Sequence, residues 1–142
     1  MREDPSVAVM FLDLDRFKTV NDQLDHDVGD QLLKAVAADL PRLVRQVVTV
    51  ARLGGDESVI ALDKPGTRGQ VEVLAQSVVT KLGLPRTIDG HAVGVGASVG
   101  IALYPSDGLT AAALIASADE ALYAAKGAGR NTPRFYSAAA RL

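Results

Sequence analysis

Four acidic residues stand in two pairs where predicted strands end. Asp13 and Asp15 close the apolar run "VAVMFLDLD", and Asp56 and Glu57 interrupt "VARLGGDESVIAL". Side chains two residues apart in a strand point the same way, so Asp13 and Asp15 share a face. If that strand end lies beside the second segment, Asp13 and Asp56 can share a divalent ion, because hard oxygen ligands suit Mg²⁺. The simpler alternative is that all four are solvated turn residues.

Metal-bound carboxylates of this kind serve phosphate chemistry. Two Mg²⁺ ions between carboxylates stabilise an attacking hydroxyl and the charge that develops on a phosphate. Lys126 and Arg130, near the end of the last predicted helix, are candidates for holding a triphosphate. Basic residues at a helix C-terminus also interact favourably with the helix dipole, and that alternative stays open.

Other catalytic patterns are missing from the sequence. His26 and His91 are the only histidines and lack the spacing of a metal pair, and there is no cysteine. No Gly-x-Ser-x-Gly nucleophile elbow is present. The glycines of "GHAVGVGASVG" lie inside a predicted strand rather than at a strand-to-helix turn, which argues against a dinucleotide-binding loop.

Length and charge limit the class of protein. The 142 residues suit one domain, 1–142, and the net charge of -2 argues against general nucleic-acid binding. No apolar segment approaches the roughly 18 to 20 residues that span a bilayer, and the N-terminus does not resemble a signal peptide. We therefore expect a cytoplasmic domain with no membrane contact in this segment. We expect 137–142 to be a disordered tail or the start of a linker.

The apolar periodicity predicts an α/β fold with seven elements. They are a strand 7–15, a helix 28–44 bent at Pro41, a hairpin of strands 47–53 and 57–63 around Gly54-Gly55, a helix 67–83, a strand 91–105, a helix 109–129 and an edge strand 132–136. This order predicts helices packed on a sheet of mixed direction, with the hairpin at its centre. The glycines of 91–105 are expected to allow close packing.

Each of the two later helices has an apolar stripe that predicts its buried face. In 67–83 the stripe comprises Val71, Leu74, Val78 and Leu82, with Gly83 as the stop; in 109–129 it comprises Leu114, Ile115, Ala118, Leu122 and Ala125.

Five blocks of the chain together resemble the GGDEF family of diguanylate cyclases, which condense two GTP molecules into cyclic di-GMP. The blocks are "FLDLDRFKTVND", "HDVGDQLLKAVAADL", "VARLGGDES", "ASVGIALYP" and "ADEALYAAKGAGRN", in the family's order and at its spacing. The resemblance covers nearly all of the chain. It implies a mixed, mainly antiparallel sheet flanked by helices, the palm-like (ferredoxin-like) nucleotide cyclase fold.

The resemblance also implies a metal centre and a catalytic acid. Asp13 and Asp56 match the family's metal carboxylates, and the backbone carbonyl of Leu14 completes the protein's share for two Mg²⁺ (or Mn²⁺) ions. Glu57 matches the acid beside the attacking 3'-hydroxyl, which acts as a base or as a stabilising charge.

Substrate contacts follow from the same resemblance. Asn21 and Asp30 match the residues that hydrogen-bond the guanine edge. The phosphates are expected to contact the backbone amides of Arg16, Phe17 and Lys18 and the side chains of Lys126 and Arg130. Gly54 and Gly55 are expected to let the substrate approach the backbone closely.

The chain departs from the family pattern at several positions. Ser58 replaces the signature's Phe, and Asp25 replaces the usual glycine before His26. The product-inhibition site has Arg45 but Val48 in place of its Asp, so we expect it to be degenerate. The family's leading helix and "DxLTGLxNR" segment are absent from this N-terminus, which suggests a late start.

Two functions agree with these features. In the first, two domains form a homodimer in which each GTP 3'-hydroxyl meets the other's α-phosphate. In the second, a catalytically degenerate domain binds GTP and regulates an attached partner. Both readings predict sensor or phosphodiesterase domains outside these 142 residues.

Overall fold

The computed structural model describes residues 4–15, 31, 34, 35, 38, 47–54, 57–84, 86–88, 90–93 and 96–137, with the backbone alone for 47–54, 86 and 91–93. In chain order the elements are β1 (Val7–Asp15), β2 (Val47–Gly54), β3 (Glu57–Asp63), α1 (Arg68–Leu82), β4 (Arg86–Ile88), β5 (His91–Val93), β6 (Gly96–Tyr104), α2 (Ala111–Gly127) and β7 (Pro133–Phe135). The predicted helix 28–44 lies outside the described residues except for four positions, which are helical.

Among the described residues, the main sheet has five strands in the order β2-β3-β1-β6-β7. Four of them pair antiparallel, and β7 runs parallel to β6 at the edge. The mixed, mainly antiparallel sheet flanked by helices is confirmed. The edge position of β7 is confirmed too, with Pro133 as its first residue, where a missing N–H costs least.

The β2–β3 hairpin forms as expected, but its predicted place at the centre of the sheet is wrong. β1 is the central strand, and eight of its nine residues are buried. A strand covered on both faces can be apolar on both faces, and "VAVMFL" meets that condition better than either hairpin strand. The hairpin therefore flanks β1, and β2 forms the edge.

Helices α1 and α2 lie on opposite faces of the sheet. Met10 and Leu12 of β1 pack in one core cluster with residues of α1, whereas Val9 and Phe11 pack with residues of α2. The α1 face is the larger and includes Val71, Val78 and Leu82, with Leu74 partly buried, which confirms the predicted stripe. Asp13 and Asp15 continue the alternation of Val9 and Phe11, so they point to the α2 face.

α2 approaches β6 very closely, and Gly100 makes this possible. A Cβ atom on Gly100 would lie 2.0 Å from the carbonyl oxygen of Ala118 and 2.2 Å from the amide nitrogen of Leu122. Both are backbone atoms, so no side chain could move aside. The expectation that glycines of this strand allow close packing is confirmed at this position.

Two local predictions need correction. Residues 91–105 do not form one strand, because His91–Val93 is β5, which pairs with β4 in a separate two-stranded sheet. The sequence contained the signal: Asp89-Gly90 between "RTI" and "HAV" is a strong hairpin turn pair, and Gly90 has a φ of 78°. Ile115, placed in the buried stripe of α2, is 38% exposed.

Threonine caps begin both long helices. The Thr67 hydroxyl accepts a hydrogen bond from the Gln70 backbone amide, and the Thr67 backbone amide donates one to Gln70 Oε1. The Thr110 hydroxyl accepts one from the Ala113 backbone amide. Within the described part of the chain, no helix has the length and apolar character needed to cross a membrane.

Candidate active site

The site forms where β1 ends beside the start of β3. Asp13 pairs directly with Glu57 in the antiparallel register, so the two side chains project from the same face, toward α2. Asp13 is only 7% exposed, and Glu57 is half-buried. The end of the first strand therefore lies beside the start of the second hairpin strand.

Lys126 brings a positive charge to these carboxylates. It lies in the last turn of α2, and its ammonium group forms an ion pair with the Asp13 carboxylate. Like charges directly opposite on neighbouring strands repel each other, and the ammonium offsets that repulsion. Lys126 therefore contacts a site carboxylate directly, in addition to any interaction with the helix dipole.

Asp15 and Arg130 form a second contact, next to the first. The Arg130 Nη1 atom lies 3.6 Å from Asp15 Oδ1. Asp15 is 4% exposed, whereas about half of the Arg130 side chain is exposed. The guanidinium group is thus anchored on one side and open to an anion on the other.

Sequence reasoning missed two partners of Asp15. The Ser98 hydroxyl donates a 2.7 Å hydrogen bond to Asp15 Oδ1, and the Asn131 amide donates one of 2.8 Å to Oδ2. The pattern "GRN" places Asn131 just after the last predicted helix, but it does not indicate a contact with Asp15, which is 116 residues earlier in the chain. Only the pairing of β1 with β6 brings these segments together.

A cavity of about 750 Å³ borders α2, and both Glu57 and Lys126 line it. Its volume lies in the range typical of small-molecule sites. The carboxylates of Asp119 and Glu120 line it as well, whereas Asp13 lies behind its ion-pair partner Lys126. At this edge the ammonium group can bind a phosphate ester, and the neighbouring carboxylates can bind a cation.

The carboxylates suit a hard divalent cation. Asp13 and Glu57 supply oxygen ligands, which Mg²⁺ prefers over nitrogen or sulfur. The described residues contain no group of three His, Cys, Asp or Glu side chains that could hold a metal, so a third ligand of these types would come from outside them. The side chain of Leu14 packs in the α1-face core, which leaves only its backbone available to a metal.

Several predicted site residues lie outside the described residues. These are Arg16, Phe17, Lys18, Asn21, Asp30, Gly55 and Asp56, together with Arg45 of the product-inhibition site and Asp25. Val48 and Gly54 belong to β2, and Gly54 pairs with Glu57 across the hairpin.

A family model described as "Diguanylate cyclase, GGDEF domain" matches residues 1–132. Among curated relatives, the chain is 44% identical over 136 residues to the bifunctional diguanylate cyclase/cyclic di-GMP phosphodiesterase MucR of Pseudomonas aeruginosa, covering 96% of this chain and 20% of MucR. It is 42% identical over 131 residues to the cyclic di-GMP phosphodiesterase NbdA of the same organism, covering 92% of this chain and 17% of NbdA.

A solved structure agrees with this match. The GGDEF domain of TpbB from Pseudomonas aeruginosa, in an N-terminally shortened form, superposes with a TM-score of 0.89 at 36% identity, covering 94% of this chain and 78% of that chain. The present chain spans about a fifth of the length of the curated relatives named above.

Proposed function

Because the chain belongs to the GGDEF domain family, we propose that it is a diguanylate cyclase domain, which joins two GTP molecules into cyclic di-GMP and releases pyrophosphate. The observation that carries the proposal is the assembly of Asp13, Glu57 and Lys126 at one strand end beside a cavity. These groups come from three elements, and each has the charge that the reaction needs.

The proposed roles follow from these charges. Glu57 accepts the proton of the attacking 3'-hydroxyl or stabilises the charge of the transition state, while the bond from the α-phosphorus to the bridging oxygen breaks and pyrophosphate leaves. Lys126 and Arg130 hold the triphosphate and offset the charge of the departing pyrophosphate. Asn21 and Asp30 select guanine, and the amides of Arg16, Phe17 and Lys18 bind the phosphates.

Magnesium is part of the proposal. Two Mg²⁺ (or Mn²⁺) ions held by Asp13, Asp56 and the Leu14 carbonyl would polarise the phosphate and stabilise the attacking oxygen. Asp13 supports this assignment because its carboxylate lies at the end of β1, directly opposite Glu57, the residue that follows Asp56 in the sequence.

The reaction also sets the arrangement of domains. Since each product contains two new phosphodiester bonds, two GTP-loaded domains must face each other as a symmetric homodimer. We place the chain as one domain, 1–142, of a longer cytoplasmic signalling protein that also has sensor or phosphodiesterase domains, with 137–142 as a disordered tail or the start of a linker.

A second function is a GTP-binding regulatory domain without turnover. Ser58 favours it: this residue, where the family signature has Phe, is half-buried next to the catalytic acid. A relative named as a phosphodiesterase, NbdA, agrees with a regulatory use of such domains.

One experiment separates these functions. The purified protein is incubated with GTP and Mg²⁺ at high protein concentration, and the products are resolved by chromatography, with Glu57→Gln as the inactive control. Formation of cyclic di-GMP that the variant does not make supports the cyclase. Calorimetric GTP binding without product supports the regulatory domain, and neither binding nor product rejects both.

A further inference from the structure

We propose that Asp15 is a positioning residue: its carboxylate fixes residues 128–132, which we call the return segment, and thereby holds Arg130 beside the triphosphate site. The proposal rests on the proposed function for the ligand, but the contacts themselves do not depend on it. The proposal gives the two acids of the Asp-x-Asp pair different roles, because Asp13 contacts Lys126 whereas Asp15 contacts the return segment.

The carboxylate of Asp15 joins three parts of the chain. It extends from the end of β1 and accepts a hydrogen bond from the hydroxyl of the fully buried Ser98 in β6. It also accepts a hydrogen bond from the backbone amide of Asn131 in the return segment. Hydrogen bonds to a charged acceptor are roughly twice as strong as neutral ones. A buried carboxylate held in this way fixes the position of each group that donates to it.

The return segment has a backbone that needs such support. Arg130 and Asn131 have φ angles of 65° and 50°, a left-handed conformation that residues other than glycine adopt rarely. The Asn131 side-chain oxygen lies 3.4 Å from the Ala97 amide, and the Thr132 carbonyl accepts the Val99 amide at 3.1 Å. The segment is therefore attached to β6 at both Asn131 and Thr132.

Gly96 leaves the space in which these groups meet. A Cβ atom on Gly96 would lie 3.0 Å from both Asp15 Oδ2 and Asn131 Oδ1. Glycine at this position therefore lets a carboxylate and an amide side chain approach the same point of β6.

The same contacts argue against Asp15 as a metal ligand. Each of its oxygens already accepts a protein hydrogen bond, and the residue is 4% exposed. Arg130, in contrast, has 52% of its side chain exposed. The acid is enclosed while the cation that it anchors can reach a ligand.

The first experiment measures the anchoring without any ligand. Trypsin cleaves after Arg130, so the rate of cleavage at that bond reports how firmly the return segment is held. In Asp15→Ala we expect this rate to rise about tenfold relative to cleavage after Lys81 in α1, as expected for loss of hydrogen bonds to a charged group. Asp15→Asn should largely restore protection, because its amide oxygen can still accept the Asn131 proton.

The second experiment measures binding by calorimetry with GTP and GMP as the probes. Asp15→Ala should weaken GTP binding about tenfold and leave GMP binding unchanged, since only GTP carries the terminal phosphates assigned to Arg130. Arg130→Ala should cause a similar loss, and the double variant should lose no more than either single variant, because Asp15 acts through Arg130.

Two further variants keep the test decisive. If Asp15→Ala does not fold, Ser98→Ala removes one donor and should raise cleavage about threefold, with the same non-additivity toward Arg130→Ala. Asp107→Asn is the matched control: its Oδ2 accepts the Leu103 amide at 2.8 Å in a different loop, and its variant should change neither readout.

Several results would overturn the proposal. These are unchanged cleavage after Arg130, equal loss of GTP and GMP affinity, losses that multiply in the double variant, or loss of Mg²⁺-dependent GTP binding that Asp15→Asn does not rescue. If the unaltered protein makes no cyclic di-GMP, the proposed function fails while cleavage and GTP binding still decide the role of Asp15. If it binds no GTP, the claim that Asp15 holds Arg130 beside a triphosphate site is wrong as well.

Discussion

At the scale of single residues, Asp13 and Lys126 form the closest pair of opposite charges among the described residues of the site. Their side chains are 10% and 32% exposed, so water screens the pair only in part. A second carboxylate, Glu57, stands directly across the strands. Lys126 therefore offsets one of the two carboxylate charges, and a bound divalent cation would change that balance.

This balance leads to a prediction for Lys126→Met. Loss of the ammonium leaves two neighbouring carboxylates without its charge, so we expect about 1–3 kcal/mol less stability in metal-free buffer. Added Mg²⁺ should raise the melting temperature of the variant more than that of the unaltered protein, since a ligand that binds the folded state stabilises it. Thermal unfolding with and without Mg²⁺ measures both effects.

The control is Lys81→Met, which removes an exposed lysine from the last turn of α1. If the two variants behave alike, Lys126 contributes only through the helix dipole.

Glu57 has a separate prediction, because it is assigned to chemistry rather than to binding. Glu57→Gln keeps the shape but removes the proton acceptor, so turnover should fall about 100-fold or more while GTP affinity stays within about threefold. Product formation and calorimetric titration check the two halves. Glu72→Gln, at an exposed position on α1, should match the unaltered protein; a parallel fall in GTP affinity for Glu57→Gln would indicate a binding role.

Ser58 stands where the family signature has Phe. It pairs with Leu12 and has the same strand parity as Ile60, so its side chain lies toward the α1-face core. A Phe side chain there would bury apolar area worth about 1.5–3 kcal/mol. We expect Ser58→Phe to raise the melting temperature, by about 2–4 °C per kcal/mol for a chain of this size, and to increase turnover by steadying Glu57.

Ser58→Ala is the control for this change, because it removes the hydroxyl without filling the space. Thermal unfolding and GTP turnover on the same preparations decide the question. A lower melting temperature for Ser58→Phe with no gain in activity would mean that the surroundings are already packed around serine.

At the scale of secondary structure, the distance between α2 and the sheet decides whether Lys126 reaches Asp13. That distance depends on Gly100, where a Cβ atom would collide with helix backbone. Small residues at 96, 98, 100 and 102 lie on this face of β6. The helix can therefore sit close enough for its last turn to contact the end of β1.

We accordingly predict that Gly100→Ala destabilises the protein by about 1–3 kcal/mol or more, the usual cost of overpacking. It should also weaken GTP binding, because α2 carries Lys126. Urea unfolding measures the first effect and calorimetry the second. Gly127→Ala is the control, since nothing lies within 4 Å of its added Cβ and Ala favours a helix by up to about 1 kcal/mol; equal destabilisation by both would argue against the close contact.

At the scale of the whole molecule, the proposed reaction needs two copies of the domain. Mixing the active protein with an equal amount of Glu57→Gln tests this at fixed total concentration. If domains pair at random and both must be active, about a quarter of the unmixed rate should remain, whereas independent domains would keep about half. Rates across a series of mixing ratios distinguish a squared dependence on the active fraction from a linear one.

Much of the architecture follows from local sequence. The periodic apolar stripes of 67–83 and 109–129 gave both helices to within two residues at each end, since burial of one face fixes a helical period. Strand parity placed Asp13 and Asp15 on one face. The β4–β5 hairpin was missed because a three-residue strand has too few positions to establish an alternation, although its Asp-Gly turn was readable.

What the sequence by itself determined is the set of elements, the family resemblance and the identity of the charged residues. What only the tertiary structure decided is which charges meet: Asp13 with Lys126, and Asp15 with Ser98, Arg130 and Asn131. The order of strands in the sheet also came from it, with β1 rather than the hairpin at the centre. The physical reason is that local patterns fix the direction of a side chain within its own element, whereas contacts between residues more than 80 positions apart depend on how whole elements share one core.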